Sequence, residues 1–331
     1  MSIRSRIALS FALLLPTLPA VADPVMVQPI DCTLGMDCYI QYYVDRDSGP
    51  AVRDFGCGAL SYDGHKGTDF ALISLDQMEA GVNVLAAAPG VVRGIRDGMA
   101  DEYYNAETST EVQGRECGNG VAIDHGGGWV SQYCHLKQGS IAVIEGQRVG
   151  ANAVLGQVGL SGKTQFPHLH LSIRHQGQVT DPFQPHSDQC NADAEVNDPL
   201  WQDPPAYTPA GIIDLGFAEA VPSYDAVKAG QAHEEVVTTS PALVTWAYAY
   251  GSRQGDVMHL RIQGPELGQG NAGPTVVNKR ILLQKSQSIF FRAIGRKRPT
   301  TGWPAGRYHA AVDLIRDGRV IDTRHSVIEL R

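Results

Sequence analysis

Three short motifs concentrate histidine and aspartate, the side chains that hold divalent metals and move protons: His65-Lys66-Gly67-Thr68-Asp69, Tyr133-Cys134-His135-Leu136 and Pro167-His168-Leu169-His170. In the first, Gly67 disfavours a helix, so His65 and Asp69 are not one face of the helical arrangement found in helical zinc proteases; a loop leading into a strand fits them better. In the third, the side-chain period of two along a strand puts His168 and His170 on the same face, within reach of one site. A single histidine among the eleven in the chain is ordinarily a surface or satisfied core residue. The order and spacing of the three motifs are what set these apart.

The elements that must carry them are short. Runs of β-type residues recur between glycines and polar turns: Asp69 to Ser74, Val82 to Ala87, Gly90 to Arg96, Val121 to His125, Trp129 to His135, Val154 to Leu160 and Leu169 to His175. Long stretches with a 3.6-residue apolar period are nearly absent, so the fold class is mainly β. Gly126-Gly127-Gly128 reads as a hairpin turn between two of the runs. Asp97 to Gly120, acidic and polar, reads as a long surface loop able to act as a lid, and Gln184 to Pro209, with five prolines, as an excursion or linker. Beyond it, Ala242 to Tyr250, Val257 to Gln263, Arg280 to Gln284, Ser288 to Arg292, Gly306 to Ile315 and Val320 to Glu329 alternate apolar and polar residues, the pattern of an immunoglobulin-like sandwich.

Taken together, His-x-Gly-x-Asp, a hairpin ending in Cys-His-Leu, a Gly-rich segment and Pro-His-Leu-His resemble the LytM/lysostaphin-type zinc metallopeptidases, bacterial endopeptidases that cut peptidoglycan cross-links. The resemblance runs from about Tyr62 to His175 and includes Asn119-Gly120-Val121-Ala122-Ile123-Asp124-His125-Gly126 and Glu145-Gly146-Gln147-Arg148-Val149-Gly150. It implies an antiparallel-sheet catalytic domain with His65, Asp69 and His170 as zinc ligands and His135 and His168 as catalytic histidines. Phe166 stands before Pro167-His168 where many members have glycine, which narrows one side of the cleft. The chemistry agrees. Two neutral imidazoles and a carboxylate leave a tetrahedral Zn²⁺ with net positive charge and an open fourth position. Zinc-bound water has its pKa lowered to about 7, and imidazoles can then take its proton and steady the oxyanion. Which of His135 and His168 does which is open.

Other residues carry less. His125 and His175 sit beside turns and read as structural or solvated, and Tyr62, which precedes His65 closely enough to line the cleft, reads better as a packed tyrosine. Cys134 could offer a thiolate, but the hairpin about Gly126-Gly127 brings it near Cys117, and a disulfide is the better reading. All six cysteines lie beyond residue 22, and an even count in an exported chain favours disulfides and an oxidising compartment. Arg4, Arg6, the apolar run Ile7 to Val21 and Ala20-Val21-Ala22 have the parts of a signal peptide, 1–22, so a periplasmic or secreted protein is expected. That run falls short of the ~20 residues of a membrane span, and no stable membrane insertion is expected.

Residues 23–204 carry ten basic and 24 acidic side chains, whereas 205–331 carry 15 and 11. The asymmetry argues for two units with different surfaces, and the acidic main body against a nucleic-acid partner. The expected organisation is an N-terminal segment (23–58), a zinc metallopeptidase domain (59–204) and an immunoglobulin-like accessory domain (205–331). The expected activity is hydrolysis of peptidoglycan peptides. The rivals are a non-catalytic cell-wall binding or regulatory protein on the same fold, and a zinc peptidase for Gly-rich protein substrates. The accessory domain, with Lys279, Arg280, Lys285, Arg292, Arg296, Lys297 and Arg298, is expected to place the enzyme on its substrate and take no part in cleavage. Oligomeric state is left open.

Overall fold

Strands dominate because the apolar residues recur at every second position. In the strand Val257–Gln263, for example, Met258, Leu260 and Ile262 are buried while the residues between them are half-exposed. A computed structural model describes residues 22–191, 193, 196, 198–267 and 273–331; the expected signal peptide, apart from Ala22, lies outside them.

The first half of the chain contributes β1 (Cys38–Tyr42), β2 (Thr68–Leu72), β3 (Asn83–Leu85), β4 (Gly90–Arg96), β5 (Asn119–Gly126), β6 (Trp129–Leu136), β7 (Arg148–Val149), β8 (Val154–Gln157), β9 (His168–His175) and β10 (Gln178–Thr180). Eight of them form one antiparallel sheet in the order β1-β2-β9-β6-β5-β4-β7, with β10 also on β9, while β3 and β8 pair separately. Gly126, Gly127 and Gly128 all take positive φ and turn the β5–β6 hairpin, as expected. The six cysteines form Cys32–Cys38, Cys57–Cys190 and Cys117–Cys134, the last being the expected pair across that hairpin.

The second half adds β11 (Gly211–Ala218), β12 (Ala242–Ser252), β13 (Val257–Gln263), β14 (Thr275–Leu282), β15 (Gln287–Lys297), β16 (Gly306–Arg316) and β17 (Arg319–Leu330). A three-stranded sheet, β11-β12-β15, packs on a four-stranded one, β14-β13-β16-β17, as a two-sheet sandwich. Three short helices complete the chain: α1 (Leu75–Ala80), α2 (Ser109–Val112) and α3 (Tyr224–Ala229).

The two halves share a core. Trp246, Tyr248 and Tyr250 of β12 and Val227 of α3 belong to the same buried cluster as Phe70 and Val84. Tyr39 stacks on Tyr250 at 4.5 Å between ring centroids, and Gln41 Nε2 donates to the Ser288 carbonyl at 3.1 Å. Among the described residues no helix is long and apolar enough to cross a membrane.

Candidate active site

Strand register assembles the site. In the antiparallel pair β2–β9, Asp69 lies directly opposite His170, and His168 shares the face of His170 two residues earlier. On the other side of β9, Cys134 of β6 is opposite His170, which brings His135 to the same end of the sheet. His65 arrives from the turn before β2. That turn must pass close to β9: a Cβ on Gly67 would lie 2.6 Å from His170 Cε1 and Nε2 and 2.6 Å from the Leu171 carbonyl oxygen. Only glycine permits this approach.

His65 Nε2 stands 3.1 Å from Asp69 Oδ1 and 3.1 Å from His170 Nδ1, and His170 Nδ1 stands 2.7 Å from Asp69 Oδ1. His65 Nδ1 is 2.7 Å from the Tyr43 carbonyl oxygen, which can only accept, so Nδ1 carries the proton and Nε2 turns a lone pair toward the other two atoms. Ligand atoms about a tetrahedral zinc, at about 2.0–2.1 Å from the metal, lie roughly 3.3 Å apart. The spacing and the N/N/O donor set therefore fit that ion. The electrostatics point the same way. Burial opposes ionisation of Asp69, yet the histidines around it hold its carboxyl well below the usual range. Burial likewise opposes charge on His65, and Asp69 outweighs it, raising His65 above its ordinary value. The cluster attracts positive charge.

His135 and His168 behave differently. Burial, together with His168 and His170 nearby, holds His135 well below its ordinary value, and burial lowers His168 despite Asp69. Both are neutral imidazoles near pH 7. His135 Nδ1 donates to the Ser161 carbonyl at 2.7 Å and His168 Nδ1 to the Phe166 carbonyl at 2.9 Å, with Thr164 Oγ1 at 3.1 Å. His168 Nε2 lies 3.6 Å from Asp69 Oδ1, and the His135 and His168 rings are 4.7 Å apart. The backbone of His135 adopts a left-handed φ of 63°, held by a bond from its N–H to the Cys117 carbonyl (2.8 Å) and by the Cys117–Cys134 disulfide beside it. Ser161 and Thr164, which orient these rings, went unnoticed in sequence because their partners are set by the loop's path.

The five histidine and aspartate side chains singled out in sequence thus meet at one place, and Asp69, His135 and His168 among them line a cleft of about 670 Å³. One reading needs correction and two are extended. Tyr62 is half exposed rather than packed away, its ring 4.4 Å from that of His65 on the cleft wall. The acidic loop does more than cover the surface, since Tyr103 and Tyr104 line the cleft. The sandwich, expected to place the enzyme on its substrate without taking part in cleavage, supplies Tyr224, Lys228 and Tyr248 to the cleft lining. His125 and His175 are structural: His125 bridges the Pro89 carbonyl (2.7 Å) and Ser131 Oγ (2.8 Å), and His175 stacks on Trp129 at 4.1 Å.

Residues 63–182 match the family model of Peptidase family M23, and the chain carries an M23-type domain there. It is 35% identical over 68 residues to the cell division protein DipM of Caulobacter vibrioides, covering 20% of this chain and 11% of the relative. It is 32% identical over 114 residues to the peptidoglycan DD-endopeptidase ShyA of Vibrio cholerae, covering 34% of this chain and 21% of the relative. The chain thus spans about a fifth or less of the length of these curated relatives. Among solved structures, the catalytic domain of lysostaphin from Staphylococcus simulans aligns at 22% identity and TM-score 0.25, over 36% of this chain and 76% of that one.

Proposed function

We propose that the chain is a zinc-dependent endopeptidase that hydrolyses peptide cross-links or stem peptides of peptidoglycan, in the periplasm or outside the cell. The observation that carries this reading is the convergence of His65 Nε2, His170 Nδ1 and Asp69 Oδ1 beside two neutral histidines anchored through Nδ1. His65, Asp69 and His170 would hold the metal. When bound there, zinc supplies Lewis-acid polarisation and lowers the pKa of water to about 7.

The chain's own residues do the rest. With Nδ1 donating to a carbonyl, His135 and His168 each keep Nε2 as a proton acceptor, and an imidazole that has taken a proton there can return it to the leaving amine or donate to developing negative charge. Tyr42, Tyr62 and Phe166 wall the reacting end of the cleft and limit water around it. The substrate class is supported by the DD-endopeptidase relative, and the exported location by the three disulfides.

The test is mass analysis of products released from purified sacculi by the zinc-loaded protein, beside a Gly-rich peptide. Release of cleaved muropeptides with the Gly-rich peptide intact is the expected result. Cleavage of the Gly-rich peptide alone would move the substrate class, and no cleavage by protein holding stoichiometric zinc would favour the non-catalytic reading.

A further inference from the structure

We infer that the cleft holds a carboxylate-binding subsite built jointly by the two halves of the chain, in which Lys228 of the sandwich, with Lys163 of the loop before β9, binds an anionic group of the peptide substrate outside the metal-binding cluster. The inference rests on the peptidase reading above and adds a specificity determinant to it.

Three observations carry it. The first is the distribution of charge. Lys163 and Lys228 are the two permanent cations lining the cleft, and its one carboxylate, Asp69, is enclosed by histidines. Both lysines therefore face the cleft without an opposing charge among its described lining residues, Lys163 within the strongly acidic half and Lys228 where the net-positive second half meets it. A local positive spot in such a field focuses an anionic ligand onto one point.

The second is how Lys228 is held. Its Nζ lies 5.3 Å from the ring centroid of Tyr103 and 5.1 Å from that of Tyr224, so it bridges the acidic loop and the sandwich. Aromatic faces position an ammonium group without neutralising it. Its one ionic partner, Asp225 Oδ1 at 2.9 Å, is a helix neighbour whose side chain is 91% exposed. Such a pair exchanges readily for a ligand carboxylate that enters a partly enclosed site. Lys163 lies similarly over Tyr104, 5.8 Å from its centroid.

The third is rigidity. Helix α3, which carries Lys228, is capped by Ser223 Oγ, accepting from the Ala226 N–H at 3.1 Å, and buries Val227 in the core shared by both halves. At its other end Gly230, with φ of 89°, packs so closely on the first half that a Cβ there would stand 2.8 Å from Ser74. The helix that carries the ammonium group is thus fixed against the first half of the chain, as recognition beside a reacting bond requires.

Peptidoglycan peptides carry free carboxylates, so the probes are a cross-linked muropeptide dimer purified from sacculi and the same dimer with its carboxyl groups amidated. With zinc-loaded full-length protein, the wild type is expected to prefer the free acid roughly tenfold in kcat/KM, the size of one charge-assisted contact. Lys228→Met, which keeps an unbranched stem over the tyrosines, should bring that preference close to unity, and Lys228→Arg should retain most of it. An unchanged preference in a folded, zinc-loaded Lys228→Met protein overturns the subsite and leaves the peptidase reading standing. If the wild type cleaves neither dimer, the peptidase reading falls, and calorimetric binding of the same two dimers decides the subsite: tighter binding of the free acid that Lys228→Met abolishes supports it, and equal binding overturns it.

Discussion

Both halves of the protein pair histidine with carboxylate, and only one of them makes a candidate metal site. In the sandwich, His233 Nε2 meets Asp214 Oδ2 at 2.7 Å and His309 Nε2 meets Glu266 Oε1 at 2.5 Å, distances as short as any in the first half. Each is one imidazole facing one carboxylate near solvent; the His233 side chain is 51% exposed. A third, His259, approaches Asp313 only at 3.6 Å, and Arg261 and Asn278 take up its ring nitrogens. In the first half, two imidazoles and a carboxylate point lone pairs at one buried place, where His65 and Asp69 are each 2% exposed. Pair distance does not distinguish the two cases. Convergence without water does, because buried lone pairs that face one another need a cation between them.

The comparison breaks at once if metal binding does not track convergence. Asp69→Ala and His170→Ala should lose stoichiometric zinc and all measurable hydrolysis, while Asp214→Ala, which removes an equally short pair, keeps both; metal analysis of the folded proteins decides. Chelation of the wild type should abolish hydrolysis, and added zinc should restore it. A smaller but still large effect is expected from His135→Ala and His168→Ala. These should retain zinc and lose on the order of a hundred- to ten-thousand-fold in turnover, and near wild-type rates in either would remove that residue from the mechanism.

The next effect tests the backbone rather than the ligands. In Gly67→Ala the new methyl would press on the His170 ring, so zinc affinity should fall roughly ten- to a hundredfold, the range seen when a ligand's supports are disturbed. Competition against a chelating dye measures it, and wild-type affinity would show that the turn gives way instead. The smallest effect lies in the sandwich. Its hydrogen bond to Asp214 raises His233 above its ordinary value against the opposing effect of burial. The stabilisation is therefore fully present below about pH 6.5 and fades as pH rises through the raised folded value. His233→Gln should cost a few tenths of a kcal/mol near pH 5.5 and nothing near pH 9, since a half-exposed pair is heavily screened. Urea midpoints at the two pH values check this.

Much of the sheet could be read from alternation alone. Val257–Gln263 and Gly90–Arg96 have the bounds the pattern predicts. Four strands lie outside the predicted runs: Arg148–Val149 and Gln178–Thr180 are too short to show a pattern, and burial hides the other two. Cys38–Tyr42 is buried along nearly its whole length between the two halves and shows no polar face to mark it, and Gly211–Ala218 is likewise almost entirely buried, with a register shift between Ile212 and Asp214. The six-residue helices α1 and α3 are too short for a helical period to register. The five residues of the reacting end were legible because each lies in a compact motif on or beside a strand. The opposite wall was not. Tyr224, Lys228 and Tyr248 reach the cleft only through the docking of the halves, which no local pattern encodes.

That docking has a thermodynamic consequence. Because Trp246, Tyr248 and Tyr250 fill the same interior as Phe70 and Val84, the two topological units share one buried cluster and are expected to lose stability together. Separating the sandwich would leave large aromatic faces in water, each costing a few kcal/mol, so the second half completes the interior of the first and is not a cartridge that can be exchanged. A chain that kept this first half but joined it to a different C-terminal domain would need a redesigned seam as well as a new appendage.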